Sequence, residues 1–285
     1  MPYISRTITS GDLLEKEVYF ATRDGKKLAR AGNADPTPEQ MAKVNEKNAQ
    51  RKLQRLMCAN FSREAGDVFV TFTHADEIDE ARAVKEARNL MDRIKRLRNR
   101  LGMEELRYII VTEKQSHWHH HVIMNGGLSY EQLQQLWGER GRKMAMSTLD
   151  DSDGYRGLAR YLCEDHKPKR GGIDAGEVNA KEPRRKYQRR WKASRNLKKP
   201  VVEKRQLKRL PSRGEPKAPK GYVLIHDSWQ YTESRFGIYT YAAFMRIEKG
   251  GGKRGRKIQK RDRGTKGKAK AQRAMLECGG AERQR

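Results

Sequence analysis

Two closely spaced runs of strand-forming residues constrain the fold more than any other feature of this sequence. The first is RYIIVTE at residues 107–113, and the second is HWHHHVIMN at residues 117–125. Only a few polar residues separate them, so the pattern predicts an antiparallel hairpin. A third run, DVFVTFT at residues 67–73, is β-branched and aromatic and has the length of a buried strand.

Helical patterns flank these strands. Residues 33–61 begin with prolines and continue as a basic helix with few apolar positions, and residues 76–101 carry apolar side chains at helical spacing until Gly102 ends the helix. Two shorter helices follow the hairpin, one capped at Ser129 and one at Asp153 or Ser152. Strands in hairpins with helices laid on one face predict an α+β fold built on an antiparallel sheet.

The composition indicates a protein that binds a polyanion. Lys and Arg number 63 against 36 Asp and Glu, and the formal net charge is +27. The N-terminal stretch lacks the layout of a signal peptide, and no apolar run approaches the roughly 18 residues of a membrane span, so we expect a soluble protein with no membrane partner. The cysteines are widely spaced and form no C-x-x-C motif, which fits a reducing cytoplasm.

These patterns divide the chain into five segments. Residues 1–60 are predicted to form an N-terminal hairpin and the basic helix, and residues 61–170 the core with the central sheet. Residues 171–220, rich in Lys, Arg, Gly and Pro, are predicted to form a basic arm. Residues 221–247 regain strand-forming residues and are expected to complete an accessory sheet with the N-terminal hairpin. Residues 248–285 have almost no apolar content and are predicted to form a disordered basic tail.

Four of the seven histidines are concentrated between residues 117 and 121. Because successive side chains of a strand point to opposite faces, His119 and His121 share one face and His120 lies on the other. A five-residue loop would pair Glu113 with His119 on that same face, whereas a bulge or a four-residue loop would break the alignment. Two imidazoles and a carboxylate with open coordination positions suit a catalytic divalent ion, Mn²⁺ or Mg²⁺ if the bound ligand is a phosphate.

The helix that starts near residue 153 carries two tyrosines on different faces. At about 100° per residue, Tyr155 shares the apolar face with Leu158 and Leu162, while Arg160 and Tyr161 fall on the polar side. Tyr155 is therefore predicted to lie in the core. Tyr161 is predicted to be free to meet a phosphate.

The strand VFVTFT, the segment E-x5-H-H-H-V-I-M and a helix bearing Tyr161 occur here in an order that resembles the motifs of the HUH endonucleases, particularly the rolling-circle replication initiators of bacterial mobile elements. The resemblance extends over residues 60–170. It implies a ferredoxin-like or RRM-like sheet, a divalent metal held by His119, His121 and Glu113, and Tyr161 as the nucleophile. It also implies nicking of single-stranded DNA at a replication origin through a 5′-phosphotyrosine, which frees a 3′-OH primer.

Two positions depart from the pattern of this family. His120 stands where the family usually has a bulky apolar residue, and Glu164 replaces the lysine usual three residues after the tyrosine. Arg160 and Lys167 are candidates to supply the missing charge. The wider DNA interface is expected in the basic arm, where Tyr187 and Trp191 would stack on bases between phosphate-binding cations. The residues predicted to bind DNA are Arg160, Lys167, Lys169, Arg184, Arg185, Lys186, Tyr187, Arg189, Arg190 and Trp191.

Other interpretations stay open at this point. A non-catalytic nucleic-acid-binding protein would use the same charge but would not need Glu113, His119 and His121 on one face. A relaxase or single-tyrosine transposase would share the metal and the tyrosine, although relaxases usually place the tyrosine ahead of the histidines and such transposases are usually shorter. His117 and His119 form a competing ligand pair, disfavoured because His117 precedes the strand.

The sequence contains no match to the phosphate-cradling motif G-x-x-x-x-G-K-[ST]. We therefore expect no nucleotide cofactor. The unwinding of DNA would then depend on a host helicase, and extension of the 3′-OH on a host polymerase.

Overall fold

The computed structural model describes residues 3–21, 37–114, 116–138, 142–163, 190–209, 212–225, 227–234 and 237–247, which all lie in one compact unit. Four helices and eleven strands lie in these ranges. In chain order they are β1 (Tyr3–Ser10), β2 (Leu13–Phe20), α1 (Pro38–Cys58), β3 (Val68–Thr73), α2 (Glu80–Arg100), β4 (Tyr108–Lys114), β5 (Trp118–Met124), α3 (Tyr130–Trp137), β6 (Lys143–Thr148), α4 (Arg156–Cys163), β7 (Lys192–Ala193), β8 (Val201–Gln206), β9 (Tyr222–Leu224), β10 (Gln230–Ser234) and β11 (Gly237–Arg246).

The strands form two antiparallel sheets. The central sheet has the order β6-β3-β5-β4-β7, and the accessory sheet has the order β10-β11-β2-β1-β8 with β9 also paired to β11. Every strand pairing among the described residues is antiparallel. The predicted α+β class with an antiparallel sheet is confirmed.

Helices cover both faces of the central sheet, which corrects the expectation that they lie on one face. On one side, α2 and α3 pack their apolar residues against Val70, Ile110 and Val122. On the other side, α1 and α4 pack against Val111 and Ile123. The reason is visible in the strands themselves: β4 and β5 contain consecutive apolar residues, and consecutive residues point to opposite faces, so both faces must be shielded from water.

A buried ionic cluster joins α1 to the accessory sheet. Arg55 on α1 donates from Nε to Glu15 on β2 at 2.5 Å, and it also lies 3.4 Å from Glu17. The Tyr241 hydroxyl on β11 donates to Glu15 at 2.7 Å. A buried carboxylate left without such partners would be strongly destabilising. Because α1 also packs against α4, the cluster ties the accessory sheet to the helix that carries Tyr161.

Three strands lie where the sequence pattern predicts none. The segment KMAMST forms β6 and pairs with β3, although its methionines and small residues are weak strand formers. In the predicted arm, β7 pairs with β4, and β8 pairs with β1 although all of its side chains are exposed. Main-chain hydrogen bonds to a neighbouring strand stabilise such strands. The pattern of residue types does not reveal these bonds.

The C-terminal strands occur in the accessory sheet, where β11 pairs with β2 of the N-terminal hairpin. The division into five segments stays a prediction. The predicted tail, residues 248–285, and the first part of the arm, residues 171–189, lie outside the described residues. Within the ranges given above, no helix is both long and apolar enough to cross a membrane.

Candidate metal centre

The register of the β4–β5 hairpin brings the three predicted ligands to one face. Glu113 lies directly opposite His119, and His121 lies opposite Val111. Residues paired across antiparallel strands point to the same side, as do residues two apart on one strand. The predicted alignment of Glu113 with His119 is therefore confirmed, and no bulge interrupts the ladder between them.

The side chains of this group converge around one carboxylate oxygen. Glu113 Oε1 lies 3.0 Å from His119 Nε2 and 3.2 Å from His121 Nε2. One ligand atom from each of the three residues lies within 4.8 Å of the others. All three residues are buried, with exposed fractions of 4–8%. Burial matters here because a divalent cation attracts its ligands far more strongly where water is excluded.

Contacts on the far side of each imidazole orient the rings. His119 Nδ1 donates to the carbonyl oxygen of His117 at 3.2 Å, and His121 Nδ1 lies 3.0 Å from the Thr71 hydroxyl on β3. Outer contacts of this type fix the ring and its tautomer in metal sites. They leave the Nε2 atoms of both rings directed at Glu113.

The hydrogen-bonding chemistry of His119 favours a cation in this group. Its Nδ1 faces a carbonyl oxygen and must carry a hydrogen, so the Nε2 of a neutral ring has only a lone pair. That lone pair faces an acceptor, the Glu113 carboxylate, at 3.0 Å. Two acceptors approach this closely only with an additional proton or a metal ion between them. The donor set of two imidazole nitrogens and a carboxylate oxygen could hold a divalent metal ion with open coordination positions.

The structure places Tyr161 beside the group. Its hydroxyl lies 3.4 Å from His121 Nε2, and its ring contacts the His121 ring edge to face at a centroid distance of 5.4 Å. The residue is 38% exposed, so its side chain touches both the group and solvent. Burial raises the pKa of the Tyr161 hydroxyl, and the negative charge of Glu113 raises it further. Ionisation of the hydroxyl therefore requires nearby positive charge.

Tyr155 occupies a different position from Tyr161. It precedes the first turn of α4 with a φ of 58°, and it is 1% exposed. Its hydroxyl donates to the carbonyl oxygen of Phe61 at 2.9 Å. Asp153 accepts a hydrogen bond from the Gly157 main chain at 2.8 Å and so caps the start of the helix. The predicted core position of Tyr155 is confirmed.

A second histidine cluster lies on the opposite face of β5, and the sequence pattern does not reveal it. His120 Nδ1 lies 3.0 Å from the Thr112 hydroxyl, and His120 Nε2 lies 2.9 Å from His74 Nε2. His74 Nδ1 in turn faces Glu86 at 3.7 Å. Each of these contacts has one donor and one acceptor if His74 carries its hydrogen on Nδ1 and its Nε2 accepts a hydrogen bond from His120. Both rings are then neutral.

Of the residues predicted to bind DNA, three are described. Arg160 is exposed on α4 next to Tyr161, and Arg190 donates to the carbonyl oxygen of Cys163 at the end of the same helix. Trp191 is half-buried and packs on the core face shared by α1 and α4. The remaining predicted residues, and Glu164, lie outside the described residues: Lys167, Lys169, Arg184, Arg185, Lys186, Tyr187 and Arg189.

Fold and site together define an α+β protein with a buried Glu-His-His group next to a tyrosine. Residues 67–167 match the model of a family described as Replication-associated protein ORF2/G2P. The predicted resemblance to replication-associated proteins is confirmed for this segment, which contains the whole group and Tyr161. The match supports a role in replication initiation, implies DNA binding and is consistent with a rolling-circle initiator. No curated protein and no solved structure gives a significant match.

We expect Mn²⁺ to bind to the Glu-His-His group. His121→Ala and Glu113→Ala should each weaken Mn²⁺ binding by more than tenfold, since changes to outer contacts alone cost about 10–100-fold. Isothermal titration calorimetry on the metal-free protein measures this directly. The matched control is His117→Ala, because His117 is exposed in the loop before β5. Equal loss in the control would contradict the assignment and favour the pair His117 and His119.

The buried His120 makes stability depend on pH. Burial and the neighbouring His74 lower the pKa of His120 from 6.5 to about 3, and burial lowers the pKa of His74. Below pH 6.5 the unfolded chain takes up a proton at His120 that the folded protein does not, so the free energy of unfolding falls as pH decreases toward 3. The loss should reach about 1.4 kcal/mol per pH unit for this one group.

His120→Gln removes this titration while retaining an amide that can donate to His74. Urea unfolding in EDTA at pH 7 and pH 5 should show a smaller loss of stability in this variant than in the unmodified protein. His117→Gln, which changes an exposed histidine, should lose as much stability as the unmodified protein. An equal loss of stability between pH 7 and pH 5 in all three proteins would contradict the lowered pKa of His120, because it would show that the folded protein and the unfolded chain take up the His120 proton equally.

Proposed function

We propose that this protein initiates rolling-circle replication by nicking and rejoining single-stranded DNA, with Tyr161 as nucleophile and a divalent metal held by Glu113, His119 and His121. The observation that carries the proposal is the position of the Tyr161 hydroxyl, 3.4 Å from a nitrogen of the buried ligand group. A non-catalytic DNA-binding protein has no need for buried ligands next to a tyrosine. The replication-associated family match agrees with the proposal.

The chemistry follows from what the residues can do at this point. The Tyr161 oxygen would form a bond to the scissile phosphorus while the bond from phosphorus to the 3′ oxygen breaks. The hydroxyl loses its proton in this step, and the departing 3′ oxygen gains one. Because the raised pKa of Tyr161 disfavours the phenolate, the reaction needs positive charge at the site. When bound, Mn²⁺ or Mg²⁺ would polarise the scissile phosphate and neutralise the charge that develops.

The protein side chains have separate tasks in this proposal. Glu113, His119 and His121 hold the metal, and their contacts to Thr71 and the His117 carbonyl keep the rings oriented. Arg160, exposed one residue before the nucleophile, would contact a phosphate next to the cleaved one. It is a candidate for the charge that a lysine usually supplies in the HUH endonucleases.

The products explain why this reaction serves replication. The phosphotyrosine retains the bond energy of the cleaved phosphodiester, so rejoining needs no ATP. The free 3′-OH would be the primer for a host polymerase, and a host helicase would separate the strands. The proposed location is the bacterial cytoplasm, where such a DNA element replicates.

The test compares two tyrosines that are close in sequence and differ in position. With Mn²⁺ and single-stranded origin DNA, Tyr161→Phe should fold normally and produce no nick, because only the nucleophilic hydroxyl is lost. Tyr155→Phe leaves the Phe61 carbonyl without its partner and should cost about 1–3 kcal/mol of stability while nicking continues. Denaturing gels measure the nicked product, and urea unfolding measures stability. Continued nicking by Tyr161→Phe would point to a metal-activated water and would end the case for a phosphotyrosine intermediate.

A further inference from the structure

A groove wraps around the short edge strand β7 of the central sheet. It encloses about 1070 Å³ between α1, α2, β4 and the chain around β7. Pockets that accommodate drug-sized ligands usually measure about 300–1,000 Å³, so this groove has room for a short stretch of a polymer rather than a single ion. β7 is short and pairs with β4 only at Ile109 and Ile110.

The charge along the groove has one sign. The cations come from three of the elements that form it: Lys52 on α1, Arg88 on α2, and Arg190, Lys192 and Arg195 around β7. Lys52, Arg88, Lys192 and Arg195 are exposed. No described residue that lines the groove is acidic. A wall of cations from three separate parts of the chain is complementary to a phosphate backbone.

Trp191 gives the groove a flat aromatic surface. It lies half-buried in the wall, between Arg190 and Lys192, with its inner side packed on the core. An aromatic ring held rigidly between cations is the arrangement on which unpaired bases stack while neighbouring phosphates contact the cations. Bases in a duplex are already stacked on each other and cannot use such a ring. The groove therefore favours a single strand.

The groove approaches the Glu-His-His group around the edge of the central sheet. Thr112 lines it and shares the sheet face of Ile110, whereas Glu113, the next residue on β4, lies on the opposite face. Lys52 on α1 also lines the groove, so the groove includes residues from both sides of this edge. Among the described residues no strand pairs with this edge of β4 beyond Ile110. A strand that follows the α1 side of the groove would pass from Trp191 toward the face that holds Glu113.

A second basic groove begins on the other side of α1. It encloses about 680 Å³ against the accessory sheet. Its lining includes Arg6, Tyr19, Arg51, Arg55 and Tyr239, and one acidic residue, Glu17, which is paired with Arg6 and Arg55. Lys52 and Asn48 line both grooves. The two surfaces therefore meet across one exposed side of α1, and the basic path is longer than the groove at β7 alone.

We propose that the β7 groove binds the single-stranded DNA that flanks the cleaved phosphodiester, with a base stacked on Trp191 and phosphates on Arg88 and Lys192. This inference rests on the proposed nicking function, because that function makes the bound strand the one that is cleaved. The binding itself requires neither the metal nor Tyr161. The groove would hold the strand in place while cleavage and rejoining occur. It would do so without reading sequence, since stacking and phosphate contacts accept any base.

Binding is measured in EDTA, by the fluorescence anisotropy of labelled oligothymidylate at several salt concentrations. The double variant Arg88→Gln, Lys192→Gln should bind more weakly and should reduce the slope of log K against log salt by about 1.4, because each phosphate contact to a single strand contributes about 0.7. The matched control is Arg96→Gln, Arg100→Gln, which removes two exposed cations of α2 outside the groove. This control should bind with the slope of the unmodified protein.

Trp191→Leu retains an apolar side chain for the core and removes the stacking surface. It should lower affinity for oligothymidylate at least about fivefold, the smallest loss expected for one stacked base. Urea unfolding checks that this variant is folded; if it is not, crosslinking of an iodouracil-substituted oligonucleotide to the unmodified protein provides the test. The crosslink should map to the peptide containing Trp191.

Three results would overturn the inference: an unchanged salt slope in the double groove variant, a crosslink confined to peptides away from the groove, or an equal loss of affinity for an unrelated duplex. Failure of the proposed nicking function has a different signature. In that case the groove variants would lose affinity as expected, while the unmodified protein would not cleave DNA with Mn²⁺ present.

Discussion

The pairing of Glu113 with His119 across the β4–β5 hairpin is the constraint on which the site depends. In this register Glu113, His119 and His121 share a face, and one carboxylate oxygen lies within 3.0–3.2 Å of two imidazole nitrogens. A slip of one residue would move both histidines to the other face and separate them from Glu113. The ladder is held on both sides, since β5 also pairs with β3 and β4 with β7. A central strand flanked in this way has little freedom to shift.

Successive side chains of a strand point to opposite faces, and β5 therefore carries histidines on both faces of the sheet. His119 and His121 point to the face covered by α1 and α4, where Tyr161 approaches them. His120 points to the face covered by α2 and α3, where Thr112 and His74 satisfy both of its ring nitrogens. A buried polar ring is tolerated only when its hydrogen-bonding groups are paired, so His120 can replace an apolar residue here because His74 lies next to it.

Much of the site follows from the sequence because its determinants are local. The hairpin places Glu113 against His119 within a few residues, and the helical period places Tyr161 on the polar side of α4. Tyr155 lies in the core as predicted, although it precedes the helix in a left-handed conformation. The relation between His74 and His120 spans 46 residues and depends on how β3 ends beside β5, which no periodicity encodes. The β7 groove draws its cations from three separate parts of the chain. For it, the sequence predicts only the excess of positive charge and the DNA-binding residues Arg190 and Trp191.

The central claim is that the Tyr161 hydroxyl becomes covalently bonded to DNA. The most direct measurement is mass spectrometry of the adduct that forms when the protein is incubated with Mn²⁺ and single-stranded origin DNA, then denatured and digested with nuclease and protease. The account predicts a nucleotide linked through its 5′ phosphate to Tyr161. A nucleotide on Tyr155 or on another residue, or a DNA nick without any covalent adduct, would contradict it.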